Sequence, residues 1–152
     1  MRLIIALALA GISALALASN AVASPGDQLT GGGISSFGTT FGFTAHDRGD
    51  GGVAGHATFK NKDQVAPQAD RKGEIVCVNI VGNKGVFGVR DPDERNPGSF
   101  LIKQFYVEDN GTGGAKEPKD RLTEVNPNGC QFGADNAFAL PIANGNIEVR
   151  DR

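Results

Sequence analysis

After residue 24 apolar side chains alternate with polar ones in short runs, and Gly, Asn, Asp or Pro interrupts each run. A period of two broken by turn-forming residues is the pattern of strands, and a helical period is hard to find. Phe37, Phe41, Phe43 and Ala45 fall on one face of the first long run, opposite Gly38, Thr40, Gly42, Thr44 and His46, so it predicts a half-buried strand. A partner follows beyond the 48–52 loop. With the turn centred on Gly51, Phe43 meets Phe59, Thr44 meets Thr58, Ala45 meets Ala57 and His46 meets His56, so like faces like at every pair.

The run 75–81 carries Val76, Val78 and Ile80 on one side and Ile75, Cys77 and Val81 on the other, which predicts a central strand covered on both faces. Gly82-Asn83-Lys84-Gly85 reads as a turn with Gly85 at positive φ, after which Val86, Phe87 and Val89 return beside the 75–81 strand. Residues 90–98 form a charged, proline-bearing loop, 99–109 the longest strand candidate, and 110–120 a Gly- and Lys-rich loop. A short strand at 121–125 precedes the turn residues Asn126-Pro127-Asn128-Gly129. Asn144-Gly145 then predicts a two-residue hairpin with Ile142 opposite Ile147 and Leu140 opposite Val149. The sum is an all-β fold of about eight short antiparallel strands, closed as a barrel or stacked as a sandwich to hide its edges.

Residues 1–23 alter the compartment rather than the fold. Arg2 precedes an uncharged Leu-, Ile- and Ala-rich stretch, and Ala21-Val22-Ala23 matches the small-x-small cleavage pattern of a secretory signal. The apolar run is short for a membrane anchor, so a single secreted β-domain at 24–152 is expected, without a transmembrane segment after cleavage. Export favours joining the only two cysteines, Cys77 and Cys130. Closing a loop of about 54 residues contributes on the order of 4 kcal/mol in the chain-entropy account.

Composition removes several classes. A formal charge of −2 offers no electrostatic footprint for nucleic acid. The 22 glycines follow no period of three, which excludes collagen, and the lack of Trp with a single Tyr weakens a sugar-stacking groove. Gly31-Gly32-Gly33 precedes a strand rather than a helix, so it reads as a flexible lead-in and not as a phosphate cradle. The serines sit in no catalytic motif, no catalytic residue is nominated, and no cofactor is expected.

Three groups remain as candidate chemistry. His46 and His56 beside Asp50 have the donor types of a Zn²⁺, Cu²⁺ or Ni²⁺ site, against the simpler alternative of a solvated polar face. Asp91-Pro92-Asp93-Glu94 and Asp109-Asn110-Gly111 supply hard oxygens suited to Ca²⁺, but neither has the alternate-position spacing of an EF-hand, and such residues stabilise turns without metal. Phe41, Phe43, Phe59 and Phe105, with glycines that fill no volume, would line an apolar-ligand cavity if the interior were hollow. Arg48-Gly49-Asp50 spells an adhesion tripeptide that arises easily in a Gly- and Asp-rich loop.

Gly31-Gly32-Gly33, Thr40-Phe41-Gly42-Phe43, Cys77-Val78-Asn79-Ile80-Val81-Gly82 and Asp109-Asn110-Gly111, in that order, resemble a group of small exported bacterial β-domains of uncharacterised function. The resemblance spans 29–109 and implies an exported β-domain without supplying an activity. Many members carry a His/Asp-rich segment after the second strand, whereas Asn61-Lys62-Asp63-Gln64 stands here, so no metal role transfers. The expected function is a secreted, non-enzymatic interaction or structural module with an extracellular or cell-envelope partner. The alternatives are a barrel binding a small apolar ligand and, behind it, a metal enzyme centred on His46 and His56.

Overall fold

The computed structural model describes residues 26–50, 52–61, 70–93, 95–111, 119–125, 129–133 and 138–152. The signal segment, Gly51, residues 62–64, Glu94, the middle of the 110–120 loop and positions 126–128 of the next turn lie outside those residues. Within the described residues nine strands form one antiparallel sheet: β1 (Gln28–Ile34), β2 (Thr39–Asp47), β3 (Val53–Asn61), β4 (Arg71–Val81), β5 (Lys84–Pro92), β6 (Phe100–Glu108), β7 (Arg121–Val125), β8 (Leu140–Pro141) and β9 (Asn144–Arg150). They lie in the order β8-β7-β6-β5-β4-β3-β2-β1-β9. Each strand from β1 to β8 pairs with the next, and the last strand crosses to the free side of the first. The sheet curls into a half-barrel, so the choice between barrel and sandwich falls to a single curved layer.

The core fills the concave face. Phe41, Phe43 and Ala45 of β2, Ala57 and Phe59 of β3, Ile75 and Ile80 of β4, Phe87 and Val89 of β5, and Phe105 and Val107 of β6 are buried together with Leu29 and Ile147. Their rings run in a continuous series, with centroid separations of 4.6 Å for Phe43–Phe87, 5.4 Å for Phe87–Phe105 and 4.2 Å for Phe59–Phe105. A smaller cluster of Val86, Tyr106, Val125, Cys130 and Ala139 covers part of the convex face.

Local details depart from the sequence expectations in instructive ways. Phe41 opposes Phe59, Phe43 opposes Ala57, Thr44 opposes His56 and His46 opposes Ala54, a register two residues from the expected one. The loop is 48–52 as expected, but its midpoint is Asp50 rather than Gly51. A shift of two leaves every side chain on its face, which is why the inward set stays the same. Phe37 is not on that face: Ser35, Gly38 and their neighbours turn the chain before β2 begins, and Phe37 is 75% exposed. In the β4–β5 turn Gly82, not Gly85, has the positive φ of +59°, because Val81 and Lys84 already pair and leave two residues between them. A bulge between Ile75 and Cys77 sends Ile75 into the concave core and Cys77 to the convex cluster, where an unbroken strand would put both on one side.

The largest departure concerns Asn144-Gly145, which lies inside β9 rather than in a hairpin. Gly145 pairs with Gly33 of β1, while β8 pairs with β7 through Leu122–Leu140. The glycine run expected as a lead-in is thus internal to β1, paired on both sides. A Cβ on Gly145 would press on the Gly32 carbonyl oxygen and the Gly33 Cα, at a φ of +121°. Glycine is needed here for the close approach of two backbones, and the same preference for positive φ also makes Asn-Gly a turn signal.

Side chains fasten the outer edge of β9, along which no strand of the described residues pairs. The Ile147 N–H donates to Asp120 Oδ2 at 2.6 Å, and the Val149 N–H donates to Asp109 Oδ2 at 3.0 Å. The remaining oxygens are also engaged, Asp120 Oδ1 accepting from the Asn110 N–H at 2.8 Å and Asp109 Oδ1 from the Gly111 N–H at 2.9 Å. Beyond β9, Asp151 accepts from the Gly82 N–H at 2.7 Å, and Asp27 accepts from the Arg152 N–H at 2.9 Å.

Asp120→Asn keeps the size of this clasp but turns one acceptor into a donor facing an N–H group. It is expected to lower unfolding free energy by about 2–4 kcal/mol in chemical denaturation, the range for a buried charge-assisted pair left unmatched. Gly145→Ala is expected to cost about 2–4 kcal/mol because the clash is with backbone, whereas Gly82→Ala, with open space around it, should cost about 1–2 kcal/mol.

Candidate functional site

At one end of the half-barrel the edges are drawn together by Asp109, Asp120 and Asp151. Toward the other, between the β1–β2 turn and β7, lies a cleft of about 270 Å³. Its floor is the Phe59–Phe105 stack, so the aromatic series of the core surfaces here. One wall is the β1–β2 turn with Ser35, Phe37 and Thr39, and the facing wall is Leu122, Thr123 and Glu124 of β7. Asn61 and Arg71, on either side of the β3–β4 connection, complete the rim.

The turn that presents Phe37 is held by hydrogen bonds. The Ser35 hydroxyl accepts from the Phe37 and Thr39 N–H groups at 3.3 and 3.2 Å, and the Gly38 N–H donates to the Ser35 carbonyl at 3.0 Å. The Ser36 hydroxyl donates to the Pro141 carbonyl, tying the turn to the far edge of the sheet. Phe37 is exposed on a fixed mount.

The charged part of the rim is a chain of ion pairs. Arg71 lies 3.6 Å from Asp91 and 3.5 Å from Glu124, and Lys103 reaches the other Glu124 oxygen at 3.4 Å. Two cations and two carboxylates balance within this chain of pairs. Its described lining has no His or Cys, and its hydroxyls come from Ser35, Thr39 and Thr123 without a base beside them. The arrangement is suited to holding a group that is part apolar and part polar.

The expected site residues are distributed differently. Phe59 and Phe105 form the cleft floor, while Phe41 and Phe43 are sealed beneath in the ring series. His46 and His56 are both exposed on the convex side, but they are diagonal rather than opposite, with Gln28 and Ala54 flanking His46 and Thr44 and Glu74 flanking His56. Asp50 Oδ1 accepts from the Gly52 N–H at 2.8 Å within its own loop. Among the described residues no three His, Cys, Asp or Glu side chains gather as a metal site. Of the acidic stretches, Asp91 is paired with Arg71, Asp93 Oδ1 accepts from the Arg95 N–H at 3.0 Å, and Asp109 is consumed by the clasp on β9. Arg48-Gly49-Asp50 lies in the β2–β3 loop.

Cys77 and Cys130 are joined, with Cα atoms 6.1 Å apart. Gly88 lies opposite Cys77, and a Cβ there would sit 2.6 Å from the Cys77 sulfur, so the bridge occupies the space of a missing side chain. Arg71, Glu124, Asn61 and Leu122 escaped the sequence reading because their meeting is non-local. For Phe37 a signal existed, since Ser35-Ser36 before it and Gly38 after it are turn composition.

No family model, curated protein or solved structure matches the chain. Among the described residues no helix is long and apolar enough to cross a membrane.

Beside the disulfide, Tyr106 is pushed up to about 12, chiefly by burial and then by the Glu108 carboxylate, whose oxygen is 3.3 Å from its hydroxyl. The unfolded side chain titrates near 10, so both states keep the proton below that pH. Tyr106 therefore favours the fold fully below pH 10, and that contribution is lost as pH rises from 10 to about 12. As the chain has 1 Tyr and 0 Trp, ultraviolet absorbance should follow this group alone. The midpoint is expected near 12, with Tyr106→Phe removing both the signal and this part of the alkaline loss of stability.

Proposed function

We propose that the protein is a secreted, non-enzymatic interaction module of the cell exterior or envelope, which engages its partner through the cleft end of the half-barrel. The observation that carries this reading is Phe37, a large apolar ring held 75% exposed on a hydrogen-bonded turn beside the Phe59–Phe105 floor. An exposed aromatic anchor over a concave, part-polar surface is the composition of a binding hot spot. The joined cysteines are compatible with an oxidising destination, as is the absence of a membrane-crossing helix among the described residues.

A small apolar ligand is the second reading, and the cleft reaching Phe59 and Phe105 favours it. Such a ligand would sit above these two rings rather than among all four phenylalanines, because Phe41 and Phe43 are packed away. A metal enzyme at His46 and His56 gains no support from their separation across the strand pair.

Titration with the N-acetyl amides of Phe, Leu and Lys, followed by amide chemical shifts, tests the proposal. Weak binding of the Phe and Leu amides is expected, with shifts confined to residues 35–39, Asn61 and 122–124 and weakened several-fold by Phe37→Ser. Absence of binding, or shifts confined to another surface, would overturn it. Tight binding of octanoate at the same residues would favour the second reading.

A further inference from the structure

β7 ends at Val125 opposite Gln104, so residues 100–103 of β6 project past it, with no strand on that side among the described residues. The projecting segment carries three consecutive apolar side chains, Phe100, Leu101 and Ile102, exposed by 59, 46 and 45%. β5 pairs with its other edge through Pro92–Phe100, Asp91–Leu101 and Arg90–Ile102. The preceding loop is tied by the Asp93 N–H to the Ser99 carbonyl at 3.0 Å and by the Ser99 N–H to the Asn96 carbonyl at 3.0 Å. Arg90 lies over the Phe100 ring at 5.6 Å. The segment is an extended strand before any partner arrives. An exposed apolar edge of this kind is a template for another strand, and native proteins cover it or break it with charge.

We propose that this edge pairs with the same edge of a second copy of the chain, antiparallel about a twofold axis through Leu101. This interface is separate from the cleft. Residues directly opposite in an antiparallel pair share a face, so a twofold pairing must be centred on a residue. Centred on Leu101, it sets Leu101 against the partner's Leu101, Phe100 against the partner's Ile102 and Lys103 against the partner's Ser99. Every apolar side chain meets an apolar one, and no like charges face each other. Centring on Ile102 instead would require Gln104, whose outer edge Val125 already occupies, and would set Lys103 against Leu101. The segment is self-complementary in one register, as an isologous interface requires.

Sedimentation velocity of the oxidised protein over a range of concentrations should show a reversible dimer. Leu101→Lys should leave a monomer that melts where the dilute, dissociated wild-type protein does, and Phe100→Ser serves as a second variant should the first fail to fold. The register has its own test in variants with one added cysteine, under mild oxidation that keeps Cys77 and Cys130 joined. Leu101→Cys should cross-link to itself, since opposite Cα atoms fall at about 4.5–5.5 Å, within disulfide reach. Lys103→Cys should not, since its counterpart lies four positions along the strand, about 13 Å away. A monomer at every concentration, a dimer that survives Leu101→Lys, or cross-linking at Lys103 in place of Leu101 would each overturn the proposal. None of these results depends on the cleft, which the amide titration reads independently.

Discussion

The half-barrel depends on how the last strand is held. β9 pairs with β1 along one edge, and among the described residues no strand pairs with its other edge. Asp120 and Asp109 stand in for a ladder there by accepting the N–H groups of Ile147 and Val149, which are alternate residues, as the donors on one edge of a strand are. Both carboxylates also bind their own loops. One set of charge-assisted bonds thus joins Asn110 and Gly111 after β6 to Asp109 and Asp120, orients the start of β7 and carries Ile147 over the concave core. A carboxylate suits the task because it accepts on both oxygens and donates on neither.

This closure at one end sets what the other end can be. Beyond Asp109 and Asp120, the β1–β2 turn and Glu124 of β7 face each other across the cleft, where the Ala143 N–H donates to the Ile34 carbonyl at 2.8 Å and the Ser36 hydroxyl to the Pro141 carbonyl. The core rings run toward that cleft, so the stack that stabilises the interior also forms the cleft floor. Arg71 bridges Asp91 and Glu124 there and lets charged residues face inward without an uncompensated charge. The disulfide works on the opposite face, pinning the segment after β7 over Gly88 and Tyr106. The sheet is therefore covered on both sides along β5 and the second half of β6, where its strands are apolar on both sides.

Much of the sheet was legible from the chain. The inward set Phe41, Phe43, Ala45, Ala57 and Phe59 follows from alternation, and it survives the two-residue error in the β2–β3 register because side-chain facing has the same period. The 121–125 strand and the cysteine pair were likewise readable. The candidate site was legible only in its floor. Phe59 and Phe105 were named for ring pairing, but the rim residues Arg71 and Glu124 belong to strands that meet only after the sheet curls.

By itself the sequence determined the class of structure: period-two alternation demands strands, and Gly, Asn, Asp and Pro between the runs demand turns, both consequences of backbone geometry acting over a few residues. Only the tertiary structure decided which edges meet. Asn144-Gly145 has the local chemistry of a tight turn, yet it lies in a strand because Gly33 leaves room for its backbone and Asp120 supplies its neighbour with an acceptor. The bulge at Val76 is of the same kind, since its single extra residue satisfies a core on one face and a disulfide on the other. Such choices rest on partners far away in sequence, and no local pattern encodes them.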